Sequence, residues 1–146
     1  MIDQHEAELV VGQEADDAIA QMQWAHKDKS TCAVTIDKDI LYGVPGYNFN
    51  WVKGELNYTS LPSANAFLFR QMLQGDSSDN IPGINKVGPK TIDKLFAGKE
   101  ENIDALRDIV KSMYRNQYGR TWEQAYYEVG NLLWIRRELG VGCPLL

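Results

Sequence analysis

The sequence predicts an α/β first part, residues 1–60, followed by an all-helical second part, residues 61–146. In the first part, apolar residues at helical spacing lead into a short run rich in β-branched residues, TCAVTI at 31–36, which is typical of a strand. In the second part, apolar residues recur at helical spacing between residues that begin or end helices. With 146 residues, 44% of them hydrophobic, the chain is long enough to bury a sizeable core.

The elements of the first part are expected in the order helix, strand, hairpin. A helix is predicted over 14–29 from the apolar positions at its start and middle. The run at 31–36 is predicted to be a buried strand that ends at Asp37 and Asp39. Residues 47–59 alternate polar and aromatic side chains around Lys53 and Gly54, which indicates a hairpin.

The second part is expected to contain four helices. The first begins near Ser63 and ends at Gly75, the second covers 89–96 with Gly98 after it, and the third covers 102–118. The fourth is predicted to begin at Thr121, a residue type common at helix N-termini, and to run to about Leu139.

Charge and cysteine content limit the class of protein only weakly. The formal net charge is −5, whereas nucleic-acid-binding proteins usually carry a basic surplus, although bound cations can reverse the sign locally. No apolar run approaches the roughly 18 residues of a membrane span, so no membrane partner is expected. Cys32 and Cys143 match no metal spacing; Cys32 lies in an apolar run and is expected to be a buried free thiol in a reducing cytoplasm.

The stretch GDSSDNIPGINKVGPKT, residues 75–91, offers carboxylates that could bind a cation and backbone N–H groups that could bind a phosphate. Asp76 and Asp79 lie in a segment too rich in Gly, Ser and Asn for a helix interior, and a turn is predicted at Pro82 and Gly83. Pro89 suits the first position of a helix. Backbone N–H groups at such a helix start, beside lysines at 86 and 90, form a seat for a phosphate.

Carboxylates cluster at three points of the sequence, each at the boundary of a predicted element: Glu14, Asp16 and Asp17; Asp37 and Asp39; Asp76 and Asp79. A solvated helix start, a strand-end turn and local caps would explain them separately. Together, with no Cys or His set beside them, they suit Mg²⁺ or Mn²⁺. Two such ions about 4 Å apart would support phosphodiester hydrolysis. Lys38 either balances the charge of its neighbours or contacts a phosphate.

Three motifs in order resemble the 5′ nuclease family, which includes bacteriophage 5′–3′ exonucleases, flap endonucleases and the 5′-nuclease domain of bacterial DNA polymerase I. GQEADD at 12–17 resembles the family's Gly-x-Glu-Ala-Asp-Asp, and TIDKDI at 35–40 resembles its Asp-Lys-Asp. GDSSDNIPG at 75–83 matches the family's Gly-Asp-x-Ser-Asp-Asn-x-Pro-Gly and is the most specific of the three.

The resemblance implies a fold, an activity and a site. Residues 1–60 would be the C-terminal portion of a PIN-like (resolvase-like) nuclease core, and 61–146 a helical DNA-binding domain with a helix–three-turn–helix, a relative of helix-hairpin-helix. The activity would be 5′–3′ exonuclease or flap endonuclease cleavage of DNA in a bacterial or phage-infected cell. Glu14, Asp16, Asp17, Asp37 and Asp39 would hold one Mg²⁺ or Mn²⁺ ion, and Asp76 and Asp79 would help to hold a second. Asp37, Lys38 and Asp39 would be catalytic. Duplex DNA, with K⁺, would be bound by Gly83, Asn85, Lys86, Val87, Gly88, Lys90 and Thr91.

The sequence departs from the family at two points. Lys86 stands where the family has the first of two turn glycines, so the turn is expected either to be remodelled or to rely on side-chain charge. The family's opening strand, two further Asp residues and basic arch are not found in the sequence. The chain is therefore expected to be a fragment, a split gene product or a truncated relative, with a separate N-terminal half as an expected partner. A non-catalytic, structure-specific duplex-DNA-binding module is the alternative, and a helical interaction domain with coincidental acids a third.

Overall fold

The protein is a mixed α/β structure with a small sheet and a C-terminal helical region. The computed structural model describes residues 7–26 and 30–146. Its first part contains α1 (Ala15–Ala25), β1 (Cys32–Thr35), α2 (Lys38–Gly43), β2 (Gly46–Asn50) and β3 (Glu55–Thr59). Then follow α3 (Leu61–Gln74), the two-residue strands β4 (Gly75–Asp76) and β5 (Ile81–Pro82), α4 (Pro89–Phe96), α5 (Ile103–Tyr118), a 3₁₀ turn (Gly119–Thr121) and α6 (Trp122–Leu133).

The sheet has the order β1-β2-β3, with β1 and β2 parallel and β2 and β3 antiparallel. The predicted hairpin is confirmed, and Gly54 takes the positive φ, +69°, that its turn requires. Helix α2, which the sequence patterns did not predict, connects the two parallel strands. It places the segment after β1 against α3.

Strand β1 is not the buried strand that was expected. Only Ala33 is buried along it, while Val34 is 63% exposed and the thiol of Cys32 is free and exposed. The prediction of a buried Cys32 is therefore wrong. β1 is an edge strand, and Val34 shares a row with Phe49 and Leu56 on a sheet face that leaves Leu56 62% exposed.

The opposite face of the sheet is covered by a small core with a polar centre. Ala20, Ala33, Ile40 and Val44 form its apolar part. Asn48 is fully buried, and its amide group donates to the carbonyl oxygens of neighbouring residues and to Thr59 Oγ1 at 3.2 Å, while its own oxygen accepts from Gln23. Because this core contains few large apolar side chains, the hydrogen bonds of Asn48 contribute to holding its elements together.

The helical region has the larger core. Side chains of α3, α4, α5 and α6 meet in one cluster, whose largest members are Phe69, Tyr114 and Tyr126. The Tyr114 hydroxyl donates to the carbonyl of Met72 at 2.8 Å, which satisfies its polar atom inside the core. The bounds of α4 are those predicted, and the predicted ends of α3 and α5 fall within a few residues of the observed ones.

Two predictions about the second part are wrong. The fourth helix, α6, ends at Leu133 rather than near Leu139, and the turn after β5 lies at Asn85 and Lys86 rather than at Pro82 and Gly83. Extended backbone at Trp134 (ψ 115°) ends α6. The non-helical chain then returns toward the sheet.

Arg137 anchors this returning segment. It is 7% exposed, donates to Asn65 Oδ1 at 2.9 Å and to the Gly43 carbonyl at 3.3 Å, and its guanidinium lies 4.5 Å from the ring centroid of Trp134. These contacts link the C-terminal segment to α2 and α3. No helix in the described ranges has the length and apolar composition needed to cross a membrane.

Candidate functional site

Asp37 and Asp39 lie at the start of α2 rather than side by side on a strand. Asp37 is the N-cap: its Oδ1 accepts from the Asp39 N–H at 2.8 Å, and its own N–H donates to Thr35 Oγ1 at 3.0 Å. The prediction that the strand ends at Asp37 and Asp39 is therefore wrong, because β1 ends at Thr35 and the chain enters a helix at residue 38. The cap leaves the Asp39 side chain directed toward α3.

The loop of residues 75–83 places Asp76 beside α2. Gly75, with a φ of +76°, ends α3 and turns the chain into β4, which pairs with β5. The Ser78 N–H donates to Asp76 Oδ1 at 2.9 Å, and Asp76 is only 4% exposed. Asp79 lies exposed in the connecting turn.

Three carboxylates from these two segments converge. Asp39, Asp76 and Asp79 each offer one oxygen, and these oxygens lie within 4.8 Å of one another. Lys38 donates to Asp39 Oδ1 at 3.2 Å and also contacts Asp76 Oδ2, so that its ammonium group bridges the two. Gln71, from α3, donates to Asp39 Oδ1 at 2.6 Å.

The electrostatics of this group follow from burial and from Lys38. The ion pair with Lys38 lowers the pKa of Asp76, and the N–H of Ser78 adds to this effect. Burial raises the pKa of Asp39 against the opposing effect of Lys38. Burial lowers the pKa of Lys38, but hydrogen bonds to Asp76 and Asp39 outweigh it, so that this pKa is raised overall.

A cleft of about 430 Å³ joins this group to the carboxylates of α1. Its lining residues are Glu14, Asp16, Asp37, Lys38, Asp39, Ser78, Asp79, Ile81 and Leu132. Burial raises the pKa of Asp16, and repulsion from Asp37 and Glu14 raises it further. The structure therefore brings members of all three predicted acidic groups to one cleft.

Asp17 is not among the residues that line the cleft. It is 7% exposed, and its Oδ1 accepts from the backbone N–H of Arg136 at 2.7 Å, with the Arg136 Nε 3.9 Å from Oδ2. Both oxygens thus contact the C-terminal segment. The structure also groups Asp39 with Asp76 and Asp79, where the resemblance implied a grouping with Glu14, Asp16, Asp17 and Asp37.

The donor set fits a hard divalent cation. The converging atoms are all carboxylate oxygens, which Mg²⁺ and Mn²⁺ prefer. The ammonium of Lys38 lies between Asp39 and Asp76 and forms an ion pair with each.

The residues expected to contact DNA form one continuous turn and helix start. Gly83 to Gly88 precede α4, Gly88 is its N-cap, and Lys90 and Thr91 lie in its first turn. Asn85, Lys86, Lys90 and Thr91 are exposed. The turn thus presents two lysines beside a helix N-terminus.

Lys86 itself takes the left-handed conformation, with φ at +62°. The turn is therefore not remodelled to avoid a positive φ. Gln117, on α5, supports the turn: its Oε1 accepts from the Asn85 N–H at 2.6 Å, and its Nε2 donates to the Gly83 carbonyl at 3.4 Å. The N–H of Asn85 thus already has a partner within the protein.

Sequence reasoning missed the residues that support the site: Gln71, Ser78, Gln117 and Arg136. Gln71 left a signal, because it is a polar residue three positions after Leu68 on the buried face of α3. A polar side chain on that face needs a buried partner. The others left none, because their role depends on contacts between distant segments.

No protein-family model matches this chain, and no curated protein matches it. Its functional assignment therefore rests on the geometry above: an acidic cleft between the sheet and the helical region, beside a lysine-bearing turn at the start of α4.

Proposed function

We propose that the protein is a metal-dependent nuclease that hydrolyses DNA phosphodiesters at 5′ ends or flaps, as in the 5′ nuclease family. The observation that carries the proposal is the convergence of Asp39, Asp76 and Asp79, with ligand oxygens within 4.8 Å. Asp39 and Asp79 line a cleft together with Glu14 and Asp16. Isolated caps or solvated helix starts do not require distant carboxylates to meet.

In this proposal the protein's carboxylates divide into two neighbouring sets. Asp39, Asp76 and Asp79 would hold one Mg²⁺ or Mn²⁺ ion, and Glu14, Asp16 and Asp37 would take part in holding a second. When bound, the ions supply an activated water and stabilise the charge on the leaving oxygen. Asp37 also fixes the start of α2 and so orients Asp39.

The turn before α4 supports the DNA-binding part of the proposal. Helices α3 and α4 flank the 75–88 segment, an arrangement compatible with a helix–three-turn–helix, and Lys86 and Lys90 would pair with duplex phosphates. K⁺ would bind at the same turn. The sheet would belong to a PIN-like core.

The sheet also supports a partner polypeptide. Parallel strand pairs are normally covered on both faces, yet the face that carries Val34, Phe49 and Leu56 is poorly covered and the outer edge of β1 pairs with no strand among the described residues. We propose that a separate N-terminal half binds this edge and face and contributes further carboxylates.

The alternative function is structure-specific duplex binding without cleavage. The observation in its favour is that the turn at 83–91 is formed, while Asp17 contacts Arg136 and Lys38 forms ion pairs with Asp39 and Asp76. Binding would then need no divalent ion and would weaken as salt rises.

One set of assays tests both. Cleavage of a 5′-labelled flap duplex with Mg²⁺ or Mn²⁺, and Mn²⁺ binding by calorimetry, are measured for the wild type, Asp79→Asn and the control Asp108→Asn. Asp108 is an exposed carboxylate on α5, away from the cleft. We expect Asp79→Asn to weaken Mn²⁺ binding at least about tenfold and abolish any cleavage, with Asp108→Asn unchanged.

The outcomes separate the two functions. A wild type that neither binds Mn²⁺ nor cleaves DNA overturns the nuclease proposal. If that protein still binds the flap and loses affinity when Lys86 and Lys90 are both changed to Ala, the binding module is supported. Equal Mn²⁺ binding by Asp79→Asn and Asp108→Asn would show that the metal binds elsewhere.

A further inference from the structure

The Lys38 ammonium occupies the position between two of the converging carboxylates. It contacts Asp76 Oδ2 and lies 3.2 Å from Asp39 Oδ1. The Asp76 side chain is 3% exposed, so this carboxylate has little water around it and depends on Lys38 for its counter-charge. Lys38 is the first residue of α2, so its backbone is held by the Asp37 cap.

We infer that Lys38 is an internal counter-cation that a divalent metal ion displaces from Asp39 and Asp76 when it binds. The inference rests on the proposed function. Its physical basis is that an ammonium and a divalent ion, both in contact with the same two carboxylates, would repel each other at only a few ångströms. Lys38 therefore lowers the metal affinity of the site and keeps the metal-free acidic group together.

The surroundings of Lys38 suit such an exchange. Asp39 keeps its hydrogen bond from Gln71 and Asp76 keeps its hydrogen bond from Ser78 after Lys38 leaves, so the carboxylates stay in place. The Lys38 side chain is 52% exposed and lines the cleft, so it has room to move. The released ammonium then lies in the cleft, where it would bind an anionic ligand such as a phosphate.

The test is Mn²⁺ binding by calorimetry, without DNA, to the wild type, Lys38→Met and Lys111→Met. Lys111, on α5, contacts the Tyr126 ring, and its substitution changes the net charge equally while leaving the acidic group intact. Because a charge-assisted hydrogen bond no longer competes, we expect Lys38→Met to bind Mn²⁺ about tenfold more tightly or better. Lys111→Met should bind as the wild type does.

A second measurement is made on the wild type, with Lys38→Met used only to assign the Lys38 signal. In ¹⁵N spectra of the lysine ammonium groups, the Lys38 signal should shift on addition of Mg²⁺ to the wild type, while the Lys111 signal should not. Equal Mn²⁺ affinities for the wild type and Lys38→Met, or a Lys38 signal insensitive to Mg²⁺, would overturn the inference and leave the metal site standing. Absence of Mn²⁺ binding in all three proteins would overturn the proposed nuclease function together with it.

Discussion

The helical region and the sheet are stabilised by different means. In the helical region, one cluster of buried apolar side chains joins α3, α4, α5 and α6, with large aromatic residues at its centre. In the sheet, the buried apolar cluster consists of Ala20, Ala33, Ile40 and Val44, and the polar side chain of Asn48 fills the middle. One region depends mainly on apolar burial, and the other depends on hydrogen bonds and on its neighbours.

The difference teaches where the candidate site gets its rigidity. Asp39 belongs to the sheet part, and Asp76 and Asp79 follow α3 of the helical region. The well-packed region thus presents two carboxylates at fixed positions, and α2 brings the third to them. The cleft forms only when α2 lies against α3.

The largest expected effect comes from a cavity in the helical core. Leu106 is fully buried, and Leu106→Ala should lower the free energy of unfolding by about 2–5 kcal/mol. Val34→Ala, on the exposed sheet face, should change it by less than about 0.5 kcal/mol. Urea unfolding followed by circular dichroism measures both; comparable losses would contradict the contrast drawn between the two regions.

A smaller loss is expected from the polar centre of the sheet. Asn48→Leu removes the donor to the buried Thr59 hydroxyl and to the Val44 carbonyl, so the free energy of unfolding should fall by about 2–3 kcal/mol. Asn57, the register partner of Asn48 on β3, is exposed and provides the control. If Asn57→Leu destabilises the protein as much in urea titrations, the hydrogen bonds of Asn48 are not the cause.

The pH dependence of stability should separate the contact between the two regions, made by Asp76 and Lys38, from the core of the helical region. The lowered pKa of Asp76 makes its ionised form stabilising above its unfolded value near 3.9, and that stability is lost as the pH falls through the folded value. Burial raises the pKa of Tyr114, so its contribution is complete below about pH 10 and is lost as the pH rises beyond that value.

Melting temperatures measured across the pH range test both the loss of stability at acid pH and the loss at alkaline pH. Asp76→Asn should flatten the curve below about pH 4, and Tyr114→Phe should flatten it above about pH 10. The slopes are compared, because each substitution also removes a hydrogen bond. The raised pKa of Asp39 acts in the opposite sense to that of Asp76, since the fold favours its protonated form. If Asp76→Asn leaves the fall in melting temperature at acid pH unchanged, Asp76 is not the cause of that fall.

The smallest expected effect is a gain. Lys86→Gly removes the cost of a left-handed conformation in a residue with a side chain, and should raise the free energy of unfolding by about 0.5–1 kcal/mol. Asn80, at φ +57°, is the matched control, because Asn tolerates this conformation better and Asn80→Gly should gain less. A loss of stability in Lys86→Gly would show that the lysine side chain stabilises the turn.

Helices were more predictable from the sequence than strands. The bounds of α4 follow from Pro89 and the apolar spacing after it, and the end of α3 follows from Gly75. The exposure of Cys32 and Val34 was not predictable, because their residue types fit a buried strand equally well, and burial depends on which elements cover the sheet. α6 ends where Trp134 takes an extended backbone and Arg137 packs against its ring, a contact that periodicity does not encode.

The candidate site was predictable as a set of residues and not as an arrangement. Glu14, Asp16, Asp37, Asp39 and Asp79 do line one cleft. The position of Asp17 against Arg136 lies beyond sequence reasoning, because the two residues are 119 positions apart. The assignment of these residues to a nuclease stays a prediction until metal binding and cleavage are measured.

The contact between Asp17 and Arg136 has a consequence for the order in which parts of the protein fold during synthesis. Synthesis proceeds from the N-terminus, so α1, with its acidic first turn, emerges from the ribosome long before residues 134–137. Until those residues emerge, Asp17 lacks its hydrogen bond from Arg136, and the Gly43 carbonyl lacks its hydrogen bond from Arg137. The helices from α3 to α6 can pack first, and the acidic cleft is completed only when the returning segment fastens α1 and α2 in place.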